Sequence, residues 1–113
     1  MRVDQRFATY GTLAPGKPNH HQLADLSGKW CIGTVRGRLV PKGWGADLGF
    51  PALILSPDGD EIVVHLFESI DLPQHWQRLD QFEGTAYCRV IADVAVPSGT
   101  VQAWIYVASE PVL

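Results

Sequence analysis

The chain has 113 residues and a formal net charge of -3, long enough to bury a core without disulfides or a metal and short enough for one domain across residues 1–113. Its nine basic and twelve acidic side chains are mixed with no basic stripe, which sets aside a nucleic-acid binder. No apolar run approaches a membrane span and the N-terminus lacks the apolar core of a signal peptide, so a soluble, cytoplasmic protein with no membrane partner is expected.

In chain order, the first element is a short strand from Phe7 that stops at Gly11 and opens into the loop Gly11-Thr12-Leu13-Ala14-Pro15-Gly16-Lys17. A strand ending at a glycine leaves N–H groups free to converge on an anion or a carbonyl oxygen. Asn19 to Leu26 reads as a short helical turn, with Asn19 as its cap and Ser27-Gly28 as its stop. Trp30 to Val40 is a strand in which Gly33 and Gly37 permit a bulge or bend of the kind a small barrel uses at its corners. Residues 41–51, with three glycines and two prolines, form a loop. Ala52 to Leu55 and Glu61 to Phe67 are strands on either side of Pro57-Asp58-Gly59-Asp60, which predicts a hairpin.

The one well-marked helix begins at Asp71 as its cap, carries Pro73 in the first turn and ends at Gly84. On a helical wheel Leu72, Trp76, Leu79 and Glu83 share one narrow arc, whereas Gln74, Gln77 and Arg78 point away and Asp80 lies at the border. Tyr87 to Val96 alternates, with Cys88, Val90, Ala92, Val94 and Val96 on one face. Pro97-Ser98-Gly99 turns the chain into a partner strand over 101–107, completing a second hairpin. The sum is an α+β fold of about six strands and one main helix that can close into a small barrel. Cys31 and Cys88 sit in apolar, alternating surroundings, which predicts two buried small hydrophobes in a reducing compartment.

Residues 11–17 match the first seven positions of the P-loop pattern, but Pro18 stands where the magnesium-binding Ser or Thr belongs, and no parallel βαβ context follows. Nucleotide binding is therefore set aside. His20 and His21 are adjacent, His65 falls in a strand and His75 on the helix, without the ligand spacings of a metal site. Neither cysteine lies at a helix start, so a Cys–His nucleophile is unsupported. What remains is Glu83, a carboxylate on an apolar stripe, which requires either a partner or a function. Arg89 is the candidate partner, in a structural ion pair between helix and strand; a catalytic carboxylate is the alternative.

Tyr10-Gly11-Thr12-Leu13, then Gly16-Lys17-Pro18-Asn19-His20, Leu79-Asp80-Gln81-Phe82-Glu83-Gly84, Tyr87-x-Arg89 and Ala103-Trp104-Ile105-Tyr106 together resemble the γ-glutamylcyclotransferase-like family, which includes the γ-glutamylamine cyclotransferases and AIG2-like proteins. The resemblance spans nearly the whole chain in order, and the pairing of the first and third motifs is specific. It implies a small mixed β-barrel with flanking helices, a cavity at one end, and conversion of a γ-glutamyl amine or peptide to 5-oxoproline and a free amine. It also implies Glu83 as the general acid/base, Gly11, Thr12 and Leu13 as backbone donors to the γ-glutamyl head, and Tyr10 and Tyr106 as pocket residues. No cofactor and no metal are implied, the partner is a small γ-glutamyl substrate, and a monomer is the expectation.

In such substrates the α-amino group is the nucleophile, so no serine or cysteine is required, only positioning, proton transfer and oxyanion stabilisation. Residues 44–50 follow no family pattern, and Val64-His65-Leu66-Phe67 replaces the glycine-containing strand usual after Val63, which leaves the leaving amine open. The rival reading is a non-catalytic small-molecule binding module of the same fold.

Overall fold

A computed structural model describes residues 1–40 and 52–109. The expected loop at 41–51 lies outside them. The described residues form six strands, β1 (Arg6–Thr9), β2 (Lys29–Val40), β3 (Ala52–Leu55), β4 (Asp60–Glu68), β5 (Tyr87–Val96) and β6 (Gly99–Ala108), with one α-helix, α1 (Trp76–Glu83). Five of the strands close a barrel in the order β2-β4-β1-β6-β5, with β5 returning to β2 through Thr34↔Ala95. β3 lies outside that ring, against β2. The β1–β6 pairing is parallel and the other pairings antiparallel, so this is the small mixed barrel the sequence suggests.

Alternation along the strands decides what fills it. Ala8, Val35, Val64, Leu66, Ala92, Val94, Ala103 and Ile105 form one buried cluster joined by Leu53, made of small and branched side chains that suit a narrow interior. A second cluster, Phe7, Leu13, Leu23, Leu26, Phe67, Leu72, Trp76, Leu79 and Tyr106, comes from the opposite strand faces and the helical segments laid over them. β6 therefore buries residues on both faces: Ile105 is 0% exposed and its neighbour Tyr106 only 4%.

Barrel closure depends on a residue without a side chain. A Cβ at Gly33 would stand 2.7 Å from Val94 Cγ1 and 2.8 Å from the Ala95 carbonyl oxygen, so the glycine lets β5 approach β2 where the ring shuts. Of the bulge or bend that Gly33 and Gly37 permit, no bulge interrupts the β2–β4 pairing, whose register is unbroken from Lys29↔Glu68 to Gly37↔Asp60.

Several expectations need correction. β3 and β4 do not form a hairpin: each runs antiparallel to β2, hence in the same direction as the other. The Asp-Gly segment carries the chain past Gly37, with Gly59 packed on the Gly37 backbone, instead of reversing it. The predicted helix is divided into a 3-10 turn, Leu72–Gln74, and α1. Asp71 accepts a hydrogen bond from the Ser27 N–H at 2.9 Å and makes no side-chain cap. The turn after Asn19 is likewise 3-10, His20–Leu23, without a side-chain cap. Cys31 and Cys88 are exposed, not buried, because each lies within the first three residues of its strand, beyond the packed middle of the barrel.

Candidate active site

Helix α1 sets the site. Its first turns bury Trp76 and Leu79, which fixes the helix rotation and brings Glu83, on the same stripe, to a half-buried position at its end. Gly84 stops the helix at φ 79, with its N–H bonded to the Asp80 carbonyl at 3.1 Å, a backbone conformation that favours glycine. Burial, and secondarily the negative charge of Asp80, push the Glu83 carboxyl up to about 7. Three phenols share its surroundings. Tyr10, Tyr87 and Tyr106 are each held above the ordinary tyrosine range, first by burial, and each also feels the charge of Glu83.

Asp80, one turn earlier on the helix, behaves in the opposite way. Partial burial works to raise its carboxyl, but hydrogen bonds from Arg89 and Tyr106 outweigh it and hold the group below the ordinary carboxylate range. Arg89 Nε donates to Oδ1 at 2.8 Å and Nη2 to Oδ2 at 3.1 Å, and the Tyr106 hydroxyl donates to Oδ1 at 2.7 Å. The Arg89 guanidinium is itself packed against two indoles, 4.5 Å from the Trp76 ring centroid and 4.4 Å from that of Trp104. The cation is thus packed against two rings that meet edge to face, their centroids 6.5 Å apart, and held along its edge by the carboxylate. The ion pair of Arg89 is with Asp80, so of the two alternatives for Glu83 the structural pair with Arg89 is not formed.

Tyr10 connects this group to the barrel. Its hydroxyl donates to the Tyr106 carbonyl at 2.7 Å and accepts from the Leu53 N–H at 3.0 Å. The loop that follows is held by the residues after Pro18. Asn19 donates through its side chain to Thr12 Oγ1 at 2.9 Å and through its N–H to the Thr12 carbonyl at 2.9 Å, and His20 Nδ1 lies 3.0 Å from the Leu13 carbonyl oxygen. Gly11 is half-buried, and its N–H turns to Thr9 Oγ1 at 3.4 Å. The N–H groups of Thr12 and Leu13 have no hydrogen-bond acceptor among the described residues.

Two recesses are lined in part by residues of α1. One, of about 550 Å³, is lined by Phe82, Glu83, Gly84, Thr85 and Ala86. The other, of about 310 Å³, is lined by Asp80, Tyr87, Cys88, Arg89, Trp104 and Tyr106. Glu83 and Tyr106 line different recesses, and Tyr10, Gly11, Thr12 and Leu13 line neither; what brings Tyr10, Tyr106 and Glu83 together is the Tyr10–Tyr106 hydrogen bond and the Glu83 charge that both phenols feel. No three His, Cys, Asp or Glu side chains among the described residues are grouped to hold a metal ion, and no helix there is long and apolar enough to cross a membrane.

Sequence reasoning left Asp80 at the edge of the stripe and missed both indoles around Arg89. The available signal was the alternation of β5 and β6: Arg89 lies opposite Tyr106 and Ile91 opposite Trp104, so the basic and aromatic side chains share one face.

A match along nearly the whole chain decides the family. The model of gamma-glutamyl cyclotransferase, AIG2-like, matches residues 7–112. The chain belongs to this family. Its fold is shared with an AIG2-like protein from Mus musculus, at 26% identity and a TM-score of 0.75 over 95% of this chain and 79% of that one. YkqA from Bacillus subtilis is similar at 26% identity and a TM-score of 0.71, over 92% of this chain but 35% of YkqA, so the AIG2-like fold fills about a third of that longer protein. The uncharacterised PH0828 from Pyrococcus horikoshii shares the fold at 22% identity and a TM-score of 0.65, over 94% of this chain and 79% of that one. No curated protein matches the chain.

Proposed function

We propose that this AIG2-like chain, acting as a single domain, converts a γ-glutamyl amine or γ-glutamyl peptide to 5-oxoproline and a free amine. The observation that carries the reading is Glu83: a half-buried carboxyl at the end of α1, near three tyrosines, that burial pushes up to about 7. A group poised at that pH serves both as base and as acid.

The α-amino nitrogen of the substrate forms a bond to its own γ-carbonyl carbon, and the bond from that carbon to the departing nitrogen breaks. No water is consumed. Across the reaction the attacking nitrogen gives up protons that the departing nitrogen gains, and Glu83 relays them. The Thr12 and Leu13 N–H groups are the donors left for the substrate carboxylate or the tetrahedral oxyanion, and Gly11 lets the backbone come close. Tyr10 and Tyr106 wall the pocket and hold the substrate in its ring-closing shape.

The test is release of 5-oxoproline from a panel of γ-glutamyl amines and dipeptides, with wild type and Glu83→Gln compared at equal fold content by circular dichroism. Product from wild type and none from the folded variant is the expected result. Turnover by Glu83→Gln, or a silent wild type across the panel, overturns the reading. Stabilisation of a silent wild type by those compounds points instead to a binding module.

A further inference from the structure

We propose that Asp80, paired with an Arg89 that packs against the indoles of Trp76 and Trp104, is the positioning residue of this site: it holds the Tyr106 hydroxyl and presents a fixed negative charge to Glu83 one turn along α1. The inference rests on Glu83 being the proton carrier proposed above.

The geometry separates Asp80 from an ordinary surface ion pair. Its carboxylate accepts three hydrogen bonds between 2.7 and 3.1 Å, two from Arg89 and one from Tyr106. An exposed Asp–Arg pair is normally mobile and of little consequence. Here the Asp80 side chain is 44% exposed, but the guanidinium it meets is held by two rings, one from α1 and one from β6, so packing restrains the cation that fixes the carboxylate. Trp76 is in turn anchored by its indole N–H, which donates to the Asp4 carbonyl at 2.8 Å. The Tyr106 main chain is fixed by the Tyr10 hydroxyl at 2.7 Å, so the ring leaving that backbone meets Asp80 in one orientation.

Residues three apart on a helix face the same side. Asp80 and Glu83 are such a pair, and only Asp80 receives the arginine. The groups around Glu83 are Asp80 on α1, Tyr87 on β5, Tyr106 on β6 and Tyr10 after β1. The three tyrosines stay neutral, because burial raises each, so Asp80 is the charge that can act on Glu83. Two neighbouring carboxyls given different surroundings divide their roles, one ionised throughout and one exchanging its proton. Arg89 governs the division by offsetting part of the Asp80 charge.

Two substitutions should therefore move Glu83 in opposite directions. Asp80→Asn removes the anion and leaves Arg89, which lowers the Glu83 titration midpoint by roughly 0.5–1 pH unit. Arg89→Gln removes the cation and leaves Asp80, which raises it. The midpoint is read without turnover, from the carbon-13 shift of the Glu83 carboxyl followed through pH in wild type and each variant. In the active enzyme the acid limb of kcat/KM moves with it. A purely structural Asp80 would lower Tm in both variants and leave the midpoint in place, and that result overturns the inference while the cyclotransferase reading stands. An inactive wild type removes the cyclotransferase reading, and the NMR titration still decides whether Asp80 and Arg89 set Glu83. If one variant fails to fold, the sign of the shift in the other decides.

Discussion

The hydroxyl of Tyr10 donates to the main-chain carbonyl of Tyr106 and accepts the N–H of Leu53, at 2.7 and 3.0 Å. The direct β1–β6 pairing ends at Ala8↔Ile105, so a side chain continues what the backbone ladder stops doing. It also ties β3, the strand outside the barrel, to the barrel end that carries the site.

Tyr10→Phe removes both bonds and leaves a carbonyl and an N–H short of a partner. Unfolding in urea should show a loss of about 1–3 kcal/mol. Amide exchange should quicken most at Leu53 and its β3 neighbours, and protection equal to wild type there would mean that the phenol does not hold the strand.

Glu83 couples stability to pH. Its carboxyl ionises near 7 in the fold against an ordinary value of 4.5, so the folded chain holds that proton more tightly than the unfolded one. The contribution is fully present below about pH 4.5 and is lost as pH rises through about 7. Glu83→Gln cannot ionise, so the variant should gain on wild type by about 2 kcal/mol between pH 5 and pH 8. Paired melting curves at the two pH values measure it.

Catalysis should follow the same titration in the useful direction. Proton abstraction from the substrate ammonium needs the carboxylate form of Glu83, so kcat/KM should rise with pH through a midpoint near 7. A profile flat between pH 5.5 and 8.5 would show that Glu83 is not the base.

Two glycines should respond to alanine in contrasting ways. At Gly33 the added methyl meets Val94 and the Ala95 carbonyl at 2.7 and 2.8 Å, so Gly33→Ala should cost roughly 1–3 kcal/mol by prising the barrel open at its seam. At Gly11 nothing lies within 4 Å of the added carbon. Gly11→Ala should leave stability within about 0.5 kcal/mol of wild type while lowering turnover, because the methyl occupies space the substrate needs.

The sequence by itself determined the features that depend on neighbouring residues. Alternation marked β5 and β6 and the turn between them, Gly84 marked the end of α1, and the helical wheel placed Glu83 on the stripe with Leu72, Trp76 and Leu79. Each is a consequence of one backbone period acting over a few residues. The partner of Arg89 was not of that kind. Asp80 and Glu83 lie three residues apart on one helix, and which of them meets the guanidinium depends on where β5 passes and on two indoles, Trp76 and Trp104, that come from separate elements. The placement of β3 against β2 was likewise settled by long-range strand pairing, and the exposure of Cys31 and Cys88 by where the packed middle of the barrel falls along β2 and β5. In each case a local pattern named the residues that can meet, and long-range packing chose among them, because burying the same apolar face is compatible with more than one neighbour until the ring is shut.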